Sequence, residues 1–151
     1  CNMDMVENVS FSAPSVLDGE IEEFGFSGDG TTVIAFFPGA FTETCTDEMN
    51  NIQEELDDLR SLGAEVIGVS VDTPFSLKEF AEQNTLDFRL VSDHQKQIID
   101  SYGVSTSFDS IGFRGLAQRA LFIVEEGEAV YKESVGPDRM PDVESVKIAL
   151  S

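Results

Sequence analysis

The chain has 151 residues, 41% of them apolar and 12 of them Phe, which is enough for a single domain spanning residues 1–151 around one substantial core. Its 29 acidic and 9 basic residues give a formal net charge of -20, a surface that repels nucleic-acid phosphates and anionic lipid and so argues against nucleic acid and membrane as partners. No apolar stretch approaches a membrane span and no secretory leader is evident; two cysteines, Cys1 and Cys45, without Cys-x-x-Cys or a Cys/His pattern, argue against a disulfide scaffold and a metal centre.

The expected setting is reducing and cytoplasmic. The acidic excess, with only four Lys, further points to a host of high internal salt, because unscreened self-repulsion strains a folded state.

In chain order, Val9, Phe11, Ala13, Val16 and Leu17 suit an extended lead-in. The apolar runs Thr32 to Phe37 and Glu65 to Val71 read as strands. Between them Met49, Ile52, Leu56 and Leu59 recur at helical spacing, with Glu54, Glu55, Asp57 and Asp58 on the other face and Gly63 as a stop. Strand, helix, strand is a parallel crossover. Ser76 through Glu79 has the form of a capping box before the stripe Leu77, Phe80 and Ala81. Phe88 to Val91 reads as a short strand and Gln95 to Tyr102 as a short helix before Gly103. Ser105 to Leu116 has no firm period and reads as a loop. Arg119 then opens the strand Ala120 to Val124, which Glu126-Gly127 turns into Ala129 to Glu133; Val143, Val146 and Leu150 share a final helix face. A hairpin after a parallel crossover makes an α/β fold with a central mixed sheet flanked by helices, and a thioredoxin-like fold suits this order best.

Cys45 carries the chemistry. It follows Pro38-Gly39-Ala40-Phe41-Thr42-Glu43-Thr44, where an apolar strand hands over to a helix, and a thiolate there gains from unpaired N–H groups and the positive end of the helix dipole. Its polar followers, Thr46, Asp47 and Glu48, place it in a leading turn outside the apolar stripe, reachable from solvent. Glu43, Asp47 and Glu48 would hinder ionisation if they faced the sulfur, so a cation is needed, and Arg119 is the best remote candidate. The bland reading of Arg119 is a charged strand boundary. Thr42 can donate to and accept from an oxygen-bearing substrate, or simply cap a turn; Pro38 and Gly39 can form a narrow collar above the sulfur. Because Thr42 stands where a redox pair would hold its other cysteine, no disulfide forms within this motif. The sulfur reacts with something brought to it.

Pro38-x-x-x-Thr42-x-x-Cys45 resembles the peroxiredoxin pattern, Gln118-Arg119-Ala120-Leu121-Phe122-Ile123 is similar to the family's later arginine before a core strand, and Val69-Ser70-Val71-Asp72-Thr73-Pro74-Phe75 resembles its strand-to-helix passage. The likeness spans about residues 9 to 150. It implies a thiol-dependent peroxidase that reduces hydrogen peroxide or small organic hydroperoxides without a cofactor. Cys45 would attack one peroxide oxygen and become a sulfenic acid, Thr42 would orient the peroxide, Arg119 would polarise it and stabilise the thiolate, and Pro38 would shield the sulfur. Backbone N–H groups around Thr44 and Cys45 would stabilise developing charge.

Five residues after Cys45 stands Asn50, not a second cysteine, and none lies near the C-terminus. The absence resembles the compact one-cysteine, alkyl hydroperoxide reductase E-like branch or relatives in the bacterioferritin-comigratory branch. It implies an external thiol or thiol-protein as reductant, with Cys1 the remaining candidate for a resolving role. The resemblance also suggests a homodimer through the edge holding Phe41 and Pro74-Phe75. His94 reads as a surface or capping residue rather than a base, and Asp93 and Asp100 lack a metal-ligand cluster. Two alternatives stand beside the enzyme: a disulfide oxidoreductase, disfavoured by the missing Cys-x-x-Cys, and a non-enzymatic peroxide-responsive sensor acting through Cys45.

Overall fold

The computed structural model describes residues 9–39, 43–108, 113–135 and 143–150. Strands β1 (Phe11–Leu17) and β2 (Glu20–Phe26) form a hairpin, followed by β3 (Thr31–Phe36), helix α1 (Glu43–Ser61), β4 (Ala64–Ser70) and α2 (Pro74–Asn84). Then come β5 (Arg89–Ser92), α3 (Gln97–Ser101), β6 (Ser105–Phe108), β7 (Phe113–Ala117), β8 (Arg119–Glu125), β9 (Glu128–Val135) and α4 (Val143–Leu150). Seven strands make one sheet in the order β2-β1-β5-β4-β3-β8-β9, with β3, β4 and β5 parallel and the remaining pairs antiparallel. This is the expected mixed sheet.

Each face of the sheet builds its own core. Met49, Ile52, Leu56 and Leu59 of α1, Leu77 and Phe80 of α2 and Val143 and Val146 of α4 pack on Val33, Ala35, Val66, Leu121 and Ile123. The alternate strand residues Ile34, Phe36, Ile67, Val69 and Phe122 face the other way, onto Ile98 and Ile99 of α3 and Tyr102. Gly68 of β4 lets α1 sit low, since a Cβ there would stand 2.8 Å from a Leu90 methyl, 3.3 Å from the Phe37 ring and 3.6 Å from the Met49 sulfur. None of the described helices is long and apolar enough to cross a membrane.

Two expectations need correction, and one strand goes unread in the sequence. Ser76 does not open α2: Thr73 is the N-cap, accepting from the Ser76 amide at 3.3 Å, because Pro74 has the fixed φ and missing N–H suited to a first helical position and draws the start forward. The extended lead-in is borne out as β1; the sequence reading lacks its partner β2, which it reaches through a turn at Asp18 and Gly19, both at positive φ (53° and 78°). Ser105 to Leu116 is not a loop throughout; β6 and β7 pair there as a separate two-stranded sheet, and a register shift between Thr106 and Ser107 breaks the period that marks a strand.

Candidate active site

The site is assembled at the carboxyl end of β3. The Phe37 amide donates to Val69 O at 3.0 Å, Pro38 is buried beyond it, and Gly39 is half-buried with Asp72 Oδ2 4.0 Å from where its Cβ would be. The chain then enters α1, whose third residue is Cys45. Strand β8 runs antiparallel to β3 with Ala120 opposite Phe36, so Arg119, one residue earlier, stands at the same end of the sheet, beneath the first turn of α1.

Arg119 Nη1 donates to Cys45 Sγ at 3.2 Å and to Glu48 Oε1 at 2.8 Å. All three side chains are buried: Cys45 is 0% exposed, Glu48 2% and Arg119 3%. Burial drives the Glu48 carboxyl up from 4.5 to about 7, against the pull of Arg119. Arg119 is held above its ordinary value because its bonds to Glu48 and Cys45 outweigh the cost of its burial. One guanidinium thus contacts two acidic groups, all three side chains being buried.

This geometry departs from the sequence reading in two respects. Cys45 does not occupy a turn open to solvent: it lies on α1 four residues before Met49, continues the stripe through Ile52, Leu56 and Leu59, and is sealed in the core. Glu48, read as one of three unfavourable neighbours, is a partner of the site through Arg119. The signal was available in the same periodicity, since a residue three after Cys45 shares its helix face. Thr42, Phe41 and Cys1 lie outside the described residues. His94 is exposed, and Asp93 caps α3, accepting from the Ile98 and Ile99 amides at 3.0 and 2.8 Å. No cluster of His, Cys, Asp and Glu able to hold a metal occurs among the described residues.

A cavity of about 420 Å³ lies at the other end of the sheet, by the starts of β3, β4 and β5. Its two arginines are committed: Arg89 to Ser15, Glu22 and the Phe24 ring, Arg60 to Glu65 and the Asp87 carbonyl. It has no connection to Cys45.

Residues 7–132 match the AhpC/TSA family. The chain belongs to this family, that of the peroxiredoxins. Peroxiredoxin Bcp of Escherichia coli K12 is 30% identical over 120 residues, 78% of this chain and 76% of that protein, and mouse Peroxiredoxin-2 is 36% identical over 117 residues, 70% and 58%. The crystal structure of Enterococcus faecalis AhpC superposes with a TM-score of 0.84 at 23% identity, covering 97% of this chain and 89% of that one, which bears out the thioredoxin-like fold. The protein is a thiol-dependent peroxidase, and the relatives lend the sensor alternative no support over it.

Proposed function

We propose that Cys45 is the peroxidatic residue and that it reduces hydrogen peroxide or small organic hydroperoxides. The observation that carries this is the 3.2 Å contact from Arg119 Nη1 to Cys45 Sγ, a fixed cation on the only described thiol. Cys45 thiolate attacks one peroxide oxygen: an S–O bond forms, the O–O bond breaks, sulfur is oxidised by two electrons, and the other oxygen leaves as water or alcohol once protonated. Arg119 stabilises the thiolate and polarises the peroxide, Thr42 orients it, and Pro38, buried at the end of β3, shields the sulfur. Complete burial of Cys45 means that the oxidant enters through a transient opening, which favours small peroxides.

The sulfenic acid is then reset by an external thiol or thiol-protein, in the manner of the one-cysteine or bacterioferritin-comigratory branches, in a cytoplasm of high salt to which the charge of -20 is suited. Phe75, 74% exposed at the start of α2, suits a homodimer contact. Stopped-flow oxidation of the reduced protein at high salt, followed by mass measurement, tests the reading. The expected product is a Cys45 sulfenic acid without a Cys1 bridge; a rapid Cys1 to Cys45 disulfide would reject external recycling, and an unreactive Cys45 would reject the site.

A further inference from the structure

We propose that Ser70 and Ser92 are positioning residues that set the peroxide selectivity of the site: their hydroxyls clamp Asp72 across the ends of three strands, where it backs the Pro38-Gly39 collar. Ser70 and Ser92 close β4 and β5, stand opposite each other in register, and are both 0% exposed. Alternation puts them on the sheet face of Val66 and Leu90, the face that carries α1. A buried hydroxyl needs a partner, and both find the same residue. Ser70 Oγ donates to Asp72 Oδ2 at 2.7 Å and accepts from the Asp72 amide at 3.3 Å, while Ser92 Oγ donates to the Asp72 carbonyl at 2.6 Å.

Asp72 thereby spans the parallel strands. Its carbonyl is held from β5, its amide and carboxylate are held from β4, and Oδ2 lies 4.0 Å from where Gly39, just beyond β3, would carry a Cβ. Backbone bonds close the seam beneath, the Phe37 amide donating to Val69 O at 3.0 Å and the Asp93 amide to Ser70 O at 2.7 Å. The carboxyl ends of parallel strands are where an open α/β sheet presents its ligand site, and the clamp stands there beside the collar.

Three bonds from two buried hydroxyls keep this wall from drifting. Pro38 and Gly39 therefore meet an incoming peroxide from a fixed position, which favours a small oxidant and penalises a bulky one. With one hydroxyl removed, Asp72 stays in its loop but loses its fixed position, so the collar guides hydrogen peroxide less well and excludes a larger hydroperoxide less well. The role is indirect, since both serines bond to Asp72 and neither to Cys45 or Arg119.

The inference rests on Cys45 as the reacting thiol and Pro38 as its shield, and one experiment separates the two failures. Stopped-flow rate constants for Cys45 oxidation are measured with hydrogen peroxide and with cumene hydroperoxide in the natural protein, Ser70→Ala and Ser92→Ala, at a temperature where each is fully folded. The natural protein is expected to prefer hydrogen peroxide. Each variant is expected to lose about ten-fold with hydrogen peroxide and less with cumene hydroperoxide, so that the ratio of the two falls by about three-fold or more. The thiolate midpoint, read by ultraviolet absorbance, is expected to stay unchanged. An unreactive natural protein overturns the functional reading and this inference with it. A reactive natural protein without the preference, or variants that keep its ratio or move its thiolate midpoint, overturn the clamp alone; hydroxyls with a merely structural role would lower stability and leave the ratio intact. Should Ser70→Ala not fold, Ser92→Ala, which removes one bond and leaves the other two, decides alone.

Discussion

Two cations in this molecule are each shared among acidic groups, with different consequences. Arg119 is divided between Cys45 and Glu48 at an exposure of 3% or less, whereas Lys147 on α4 binds Glu55, Asp58 and Glu144 at the surface, where Asp58 and Glu144 are mostly exposed. At the surface, water and ions do most of the neutralising, so the arrangement of three carboxylates about one ammonium changes little. In the interior no solvent can adjust, and moving one proton changes which group is charged. The same charge arithmetic governs which group is ionised in the interior and only trims stability at the surface.

The largest effect expected from breaking this contrast follows Arg119→Met. The first oxidation of Cys45 should slow by about 100-fold or more, since a preorganised donor at the reacting atom is lost. Stability should also fall by about 3 kcal/mol, because Glu48 remains buried without its cation. Adding Glu48→Gln should return most of that stability and none of the rate, as read by urea unfolding beside stopped-flow oxidation. A double variant that recovers the rate would show that Arg119 acts only by neutralising Glu48.

How far the sequence reveals this contrast depends on the kind of signal each residue leaves. Arg119 is legible because it stands at the mouth of the apolar strand Ala120 to Val124, and register then carries it to the end of β3. The crossover from β3 through α1 to β4 is legible from periodicity, and the Glu126-Gly127 hairpin from its turn chemistry. The β1–β2 hairpin is concealed because β2 is an edge strand guarded by Glu20, Glu22 and Glu23, which give it the composition of a loop. Cys45 is misplaced for a related reason: polar followers suggest exposure, yet a helix returns to the same face after four residues, and Met49 beneath it fixes that face inward. Glu48 is hidden by composition, since an acid among acids looks solvated until its partner is known.

A smaller effect sharpens the comparison through pH. Glu48 is neutral in folded and unfolded chains below about 4.5, but between there and about 7 the unfolded chain ionises it while the fold keeps the proton. Folding then takes up a proton, so the stability contributed by the raised value is full below 4.5, declines as pH rises, and is gone above about 7. The decline should be on the order of 3 kcal/mol. The many surface carboxylates also repel one another as they ionise, and salt suppresses their share. Unfolding measured at high salt across this range should retain a slope that Glu48→Gln removes; equal slopes would mean that Glu48 is not a buried acid.

The smallest effect belongs to Lys147. Its bonds to Glu55, Asp58 and Glu144 hold it above the ordinary lysine value of 10.5, and the stability linked to that shift is lost only as pH rises beyond that value, so neutral pH cannot probe it. Salt can. Lys147→Met should lower the melting temperature at low salt, where three carboxylates are left facing one another, and should have no resolvable effect at high salt. The oxidation rate of Cys45 should not change under either condition. A loss that persists in high salt would place the Lys147 cluster in the same class as the Arg119 cluster, with packing of its stem between α1 and α4 carrying the energy instead of charge.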